Sequence, residues 1–450
     1  MKKILIFAAT TAVVLASCAR TEDTLKSTSQ GDALTFGVYV PKNVTKAYYG
    51  NQTTTTLQTD GFGVLAYYTG DNGSADGAYS ASATPNFMYN TKVSTASWTY
   101  SPLKYWPNEH GSNATSDHVD KLSFFAYAPW TNVTNLATGS TGLSEGITSL
   151  TGNAATGDPK ISFTIPAKGS EQVDLLWGVA AADAPTATAQ VSPTNTITAG
   201  KPFIDLTKQE CDGKVKYVFK HALAKLDFKV QAIVDDDVDA TLAVSQGEDP
   251  AKTKVFVRKV EVTGKFNTSS TLNLNNTTAN VPLWTTPTTT NAGTSPIFVF
   301  NDGLADADDL TADGDESTDI AAAFINGAGV TNTAQKLLAS DREFFIIPVD
   351  LSTQGVKVTV TYDIETTDPN LAGTLTDGTT KGIKIKNKIT TKTPALINFE
   401  AGKWYTIVLK LGLTSVKMEA EVENWDQDID GDDDVDDDDV TPIDLPKNVD

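Results

Sequence analysis

Ten of the fourteen residues from Asp426 to Asp439 are aspartates, the densest run of one chemistry in this 450-residue chain. Asp426, Asp428, Asp430, Asp432, Asp434 and Asp437 stand at positions one, three, five, seven, nine and twelve of that run, with Gly431 at six. This is the oxygen-ligand order of a calcium loop, in which the glycine permits a sharp turn. An Asp takes the place of the usual Glu at the twelfth position, and no helical pattern flanks the run. The competing reading is a solvated, self-repelling acidic spacer. Both stay open, since a cation could order such a run by screening it. Three histidines (His110, His118, His221) and two cysteines are too few for the usual zinc or iron sites. No glycine-rich phosphate loop follows a strand, and His-Glu-x-x-His does not occur. Glycosidase chemistry needs two carboxylates in one cleft, and nothing in the sequence pairs two across a fold. The expectation is a protein that is not an enzyme, with calcium as the one candidate ligand ion and no other cofactor.

The second chemically marked position is Cys18. Met1-Lys2-Lys3 is basic, Ile4 to Ala16 is apolar but too short to span a bilayer, and Leu15-Ala16-Ser17 precedes the cysteine. The arrangement resembles the lipobox of bacterial lipoproteins. It implies a signal peptide over 1–17 and acyl attachment at Cys18. Each buried methylene would add about 0.8 kcal/mol to the anchor, so several chains on one cysteine hold durably. Cys211 would then be the only other cysteine, which leaves no intramolecular disulfide.

The elements that must carry these groups read as strands. Apolar residues make up 40% of the chain and charged residues only 20%, with much Thr, Ser, Asn and Gly. That composition favours sheets and turns over helices. The formal net charge of −21 argues against nucleic acid, which needs clustered Lys and Arg. Period-two alternation recurs. Val356, Val358, Val360, Tyr362 and Ile364 share one face, against Lys357, Thr359, Thr361, Asp363 and Glu365 on the other. Ile383, Ile385 and Ile389 alternate with lysines; Tyr405 to Leu413 and Val416 to Val422 repeat the pattern. One apolar and one polar face per strand predicts antiparallel sandwiches with a wet side. Strands are expected at Leu34–Val40, Phe62–Tyr68, Leu122–Ala128, Ile161–Ile165 and Leu175–Val179. A second group follows from Lys214 to Trp425, interrupted by a Thr/Asn-rich stretch around 267–295. Two-turn helices are expected at Asp319–Asn326 and Asn332–Ser340. The division is an N-terminal sandwich over 34–208, a C-terminal sandwich over 209–425 and an acidic tail over 426–450, with 18–33 as a lipidated leader.

Several segments occur in an order that resembles the fimbrillin family, outer-membrane lipoproteins that build or anchor type V pili. They are the Cys18 signal, Trp98-Thr99-Tyr100-Ser101-Pro102-Leu103-Lys104-Tyr105-Trp106-Pro107, Leu122 to Pro129, Asp174-Leu175-Leu176-Trp177, Phe219 to Leu226, and Gly402-Lys403-Trp404-Tyr405 with Val422-Glu423-Asn424-Trp425. The resemblance implies an all-β fold of two transthyretin-like antiparallel sandwiches in tandem. It also implies assembly by strand donation, in which a protease removes the first strand of stalk subunits after a basic residue, usually Arg, and a neighbour's strand fills the vacancy. Leu34–Val40 fits the removable strand. The basic residues after it are Lys42 and Lys46, which departs from the usual Arg and tilts the reading toward a subunit that keeps its strand and lipid. The plain reading of the two lysines is a solvated turn. Asp23-Thr24-Leu25 fits an O-glycan acceptor by family analogy. Val440 to Pro446, with two prolines, makes a poor donor strand.

Beside the resemblance, Trp98, Tyr105, Trp106, Phe124, Phe125 and Tyr127 read as sandwich-core residues near strand ends, with carbohydrate stacking as the role of any that are exposed. His221, in an apolar segment, reads as a hydrogen-bonded structural residue. The functional expectation is a structural or adhesive subunit or anchor at the outer membrane or fimbrium. Its partners would be other pilin subunits and, through loops, host glycan or protein. The alternative is a monomeric surface lipoprotein that binds glycan or host protein through its sandwich loops.

Overall fold

The computed structural model describes residues 33–39, 53–69, 78–107, 121–132, 146–166, 172–181, 197–211, 213–233, 253–285, 287–301, 319–325, 329–339, 344–367, 373–375, 382–395, 397–412, 416–424 and 441–443. They form an all-β fold. The first sheet runs β1 (Thr35–Tyr39), β9 (Lys214–His221), β7 (Leu176–Ala180), β4 (Leu122–Ala128), β2 (Phe62–Tyr68) and β3 (Met88–Val93), and β8 (Phe203–Leu206) also pairs with β4. A second sheet joins β5 (Ile147–Leu150) and β6 (Lys160–Thr164) to β12 (Asn267–Asn273), which also carries β13 (Leu283–Trp284) and β14 (Thr289–Thr290). The third contains β10 (Ala224–Ala232), β16 (Gln335–Lys336), β17 (Phe344–Ile346), β22 (Lys403–Leu411), β23 (Val416–Asn424) and β24 (Thr441–Ile443). The fourth runs β15 (Pro296–Asn301), β11 (Thr253–Thr263), β19 (Val356–Thr367) and β20 (Gly382–Ala395), while β18 (Val349–Asp350) pairs with β21 (Asn398–Phe399).

The first sheet has no wet side along its centre. All seven residues of β4 are buried, and six of the seven in β2. Leu65, Tyr67, Phe125, Tyr127 and Trp177 face a core shared with the other sheets. Phe62, Val64, Phe124, Ala126, Tyr217 and Phe219 face a smaller core closed by β1, Leu57 and Trp106. Covering on both faces explains the unbroken apolar run Leu122-Ser123-Phe124-Phe125-Ala126-Tyr127-Ala128. Two pairs, β1–β9 and β10–β22, are parallel; the other ladders are antiparallel.

Several expectations are corrected. The stretch at 267–295 is not an interruption: β12 pairs with β6 over Ser269–Asn273. Hydroxyls stitch the ladders there, Thr164 Oγ1 donating to Ser269 Oγ at 3.1 Å and Thr288 Oγ1 to the same atom at 3.0 Å, while Leu272 and Leu274 are buried. Asn332–Ser340 holds no helix within its described residues; Gln335 and Lys336 pair with β10 as β16. Asp319–Asn326 keeps one helical turn, Ala322–Ile325. The helix α1 (Thr54–Asp60) falls in a Thr-rich segment of low helix propensity, where Thr53 and Thr56 form a reciprocal capping box.

The face of β19 opposite its valines is also covered. Asp363 and Glu365 are buried, with Lys384 Nζ 2.8 Å from Glu365 and Arg258 2.9 Å from Asp363. Ile385 and Ile389 are instead exposed, at 49% and 62%. The β19–β20 register shifts between Tyr362 and Ile364, which pair with Lys388 and Ile385. The extra residue on β20 puts Ile385 and Ile389 on opposite faces.

The expected boundary at 208/209 falls between β8 and β9, and the first sheet runs across it, since β9 pairs with β7 and β1. The second sheet crosses it as well, through β6 and β12.

Candidate functional site

β1 lies at the edge of the first sheet, held by a single parallel ladder to β9 from Thr35↔Lys214 to Tyr39↔Val218. Its side chains alternate as a strand requires. Leu34 and Phe36 are buried, Val38 packs against the same cluster, and Thr35 is exposed. Phe36 is the central plug. Its ring lies 5.4 Å from Tyr100, 6.2 Å from Phe62, 6.4 Å from Phe124, and stacks on Tyr217 at 6.2 Å. Burying two such side chains contributes roughly 1.5–3 kcal/mol each. The hydrogen-bond ladder positions the strand; these two residues hold it.

A loop clasps the start of the strand. Leu34 N–H donates to the Lys104 carbonyl at 3.0 Å, and the Tyr100 hydroxyl donates to the Leu34 carbonyl at 2.9 Å. Burial raises the Tyr100 phenol above its ordinary pKa, which keeps it a donor. Ala33 bridges Tyr105, and Trp106 Nε1 donates to the Gly213 carbonyl at 3.0 Å, just before β9. The quoted Trp98–Pro107 motif is therefore the clasp of β1. Period-two reading finds the strand but not that Tyr100, Trp106 and Tyr217 close its groove, because that role depends on a loop meeting two distant strands. Trp106, Phe124, Phe125 and Tyr127 are core residues, as expected; Trp98 and Tyr105 are half-buried.

The His221 Nδ1 lies 2.7 Å from Asp174 Oδ2, with both residues buried. The pair lies beside the Leu176↔His221 step of the β7–β9 ladder and ties those strands at their ends. Cys18, Thr24, Lys42, Lys46, Asp426, Asp428, Asp430, Asp432, Asp434 and Asp437 lie outside the described residues, as do His110 and His118. Among the described residues no group of three or more His, Cys, Asp or Glu is placed to hold a metal ion, and no helix is long and apolar enough to cross a membrane. Beyond the acidic run, Thr441–Ile443 pair with this chain's own β23, Ala420 opposite Ile443. Pro442 is tolerated there because β24 is an edge strand.

No protein-family model matches the chain. Fimbrium subunit Fim1C of Phocaeicola vulgatus is 25% identical, across 96% of this chain and 98% of that protein. The crystal structure of a fimbrial protein from Bacteroides vulgatus superposes with a TM-score of 0.54 at 23% identity, covering 88% of this chain and all of that one. Along nearly its whole length this chain is thus similar in sequence to a fimbrium subunit, and its fold is similar to that of a fimbrial protein.

Proposed function

We propose that this chain is a structural and adhesive, fimbrillin-like subunit or anchor of type V pili, non-enzymatic, lipid-attached through Cys18 at the outer membrane and joined to other pilin subunits by β-strand donation. The observation that carries the reading is β1: an edge strand with one ladder and two core plugs, seated in a groove that a second strand of like alternation could fill. The similarity to a fimbrium subunit over almost the full length supports the same role. Lys42 and Lys46 follow β1 and are the candidate processing points. The clasp by Tyr100 and Lys104 favours a subunit that keeps its first strand.

The test is the N-terminal sequence and lipid state of the mature protein from outer membranes. The expected chain begins at acylated Cys18, which fits an anchor or accessory subunit. A chain that begins after Lys42 or Lys46 without lipid would replace the anchor role with that of a polymerising stalk subunit. A mature, monomeric chain that never joins fibres would favour the rival reading, a surface binder of glycan or host protein.

Calcium at Asp426, Asp428, Asp430, Asp432, Asp434 and Asp437 belongs to the same proposal, supported by an all-oxygen donor set that suits a hard cation. Calorimetric titration with calcium should give one saturable site, lost in Asp426→Asn/Asp430→Asn. Heat that tracks ionic strength alone would leave the run a spacer.

A further inference from the structure

The seated β1 is a template for whatever strand its groove accepts. Phe62 from β2, Phe124 from β4, Tyr217 from β9 and Tyr100 from the clasp loop surround the Phe36 ring. These walls also support one another. Phe62 lies 6.0 Å from Tyr217 and 5.1 Å from Phe219, and Tyr217 lies 5.4 Å from Phe203. Close-packed rings do not collapse readily onto a smaller guest, so the site of Phe36 is a shaped pocket. An aromatic plug gains edge and face contacts there that an aliphatic one lacks. Leu34 and Val38 stand two residues to either side and pack on the same cluster. The other face of the strand makes no such demand. Thr35 is exposed, and a Cβ at Gly37 would press only on the flexible end of Lys214. Backbone hydrogen bonds are blind to side chains, so choice among strands falls on positions 34, 36 and 38.

The rest of this sequence offers no second segment of that pattern. Outside the described residues, and past the apolar stretch that precedes Cys18, the aromatic residues are Tyr48, Tyr49 and Trp425. Two positions before and after them stand Lys46 and Gly50, Ala47 and Asn51, and Glu423 and Gln427. None is flanked by a pair of Leu, Ile or Val residues. Val440 to Asp450 holds no aromatic residue at all.

We infer that the groove selects a strand with an aromatic plug between two aliphatic ones, and that its donor is a different subunit, not a second copy of this chain. The inference rests on the strand-donation reading and names the partner. For the test, the full chain carries a protease site inserted between Lys42 and Asn43 and is cut after folding, so that β1 stays seated until another strand displaces it. Competing peptides copy Leu34–Val40 with Phe36 kept, with Phe36→Leu or with Phe36→Ala, and a fourth copies Val440–Pro446. Mass spectrometry follows release of the resident segment. The unaltered copy should displace it. Phe36→Leu should weaken displacement about tenfold, the worth of lost ring contacts, and Phe36→Ala about a hundredfold or more. The Val440–Pro446 peptide should displace nothing, and the cut chain alone should sediment as a monomer. Leu and Ala copies within threefold of the unaltered one would overturn the aromatic plug while strand donation stands. Displacement by Val440–Pro446, or assembly of the cut chain by itself, would overturn the foreign donor. Displacement by no peptide, the unaltered copy included, would overturn the inference and the strand-donation reading together.

Discussion

Phe36 concentrates the stability of the groove in one side chain, because four aromatic rings surround it. Phe36→Ala should cost about 3–5 kcal/mol by chemical denaturation, the usual range for a buried phenylalanine. A cost below 1 kcal/mol would mean that β1 is not seated in the intact chain. Glu210 gives a pH signature. Burial pushes its carboxyl above the ordinary carboxylate range, and the two donations from Thr207 only partly oppose this. Between the unfolded and folded values the folded state therefore holds a proton that the unfolded chain has already lost. Stability attributable to this group is full below the unfolded value and falls as pH rises through the folded one. Glu210→Gln should flatten that slope in melts across the acid range and raise the neutral-pH melting temperature relative to the parent. An unchanged slope would assign the dependence to other groups.

At the scale of elements, β9 decides where the first sheet ends. It joins β1 to β7, so a fragment that stops at residue 208 leaves β1 without its ladder and β7 paired only with β4. A fragment that stops at 223 should retain markedly more protected backbone amides by hydrogen exchange than one that stops at 208. Equal protection in the two would show that β9 does not complete the sheet. Strands were legible from sequence where β1, β19, β22 and β23 alternate and where β2 and β4 are short apolar runs, and all six lie within a residue or two of their expected places. β12 was not, because its Ser and Thr side chains imitate loop composition and gain their worth only from hydroxyls across the ladder. The faces of β20 were misread because one bulge reverses the alternation, and a bulge has no signature in an Ile/Lys repeat. The Trp98–Pro107 segment was visible, but its work as a clasp was not, since Tyr100 meets Leu34 from more than sixty residues away.

At the scale of the whole molecule, a single apolar core runs from Trp177 in the first sheet to Val358 in the fourth, and the second sheet is hydrogen-bonded across the midpoint of the chain. The parallel sense of β1 and β9 gives this body a mechanical property. β9 passes through Ala222 and Leu223 directly into β10, so the remainder of the chain leaves from the far end of the ladder. Tension between the N-terminus and the rest of the protein therefore draws the two strands along their common axis in opposite directions. The joint is loaded in shear: all five register pairs share the force, as the overlapped faces of a lap joint do, instead of parting one after another like a zipper. A tether attached upstream of β1 would let go only when the whole overlap slips at once.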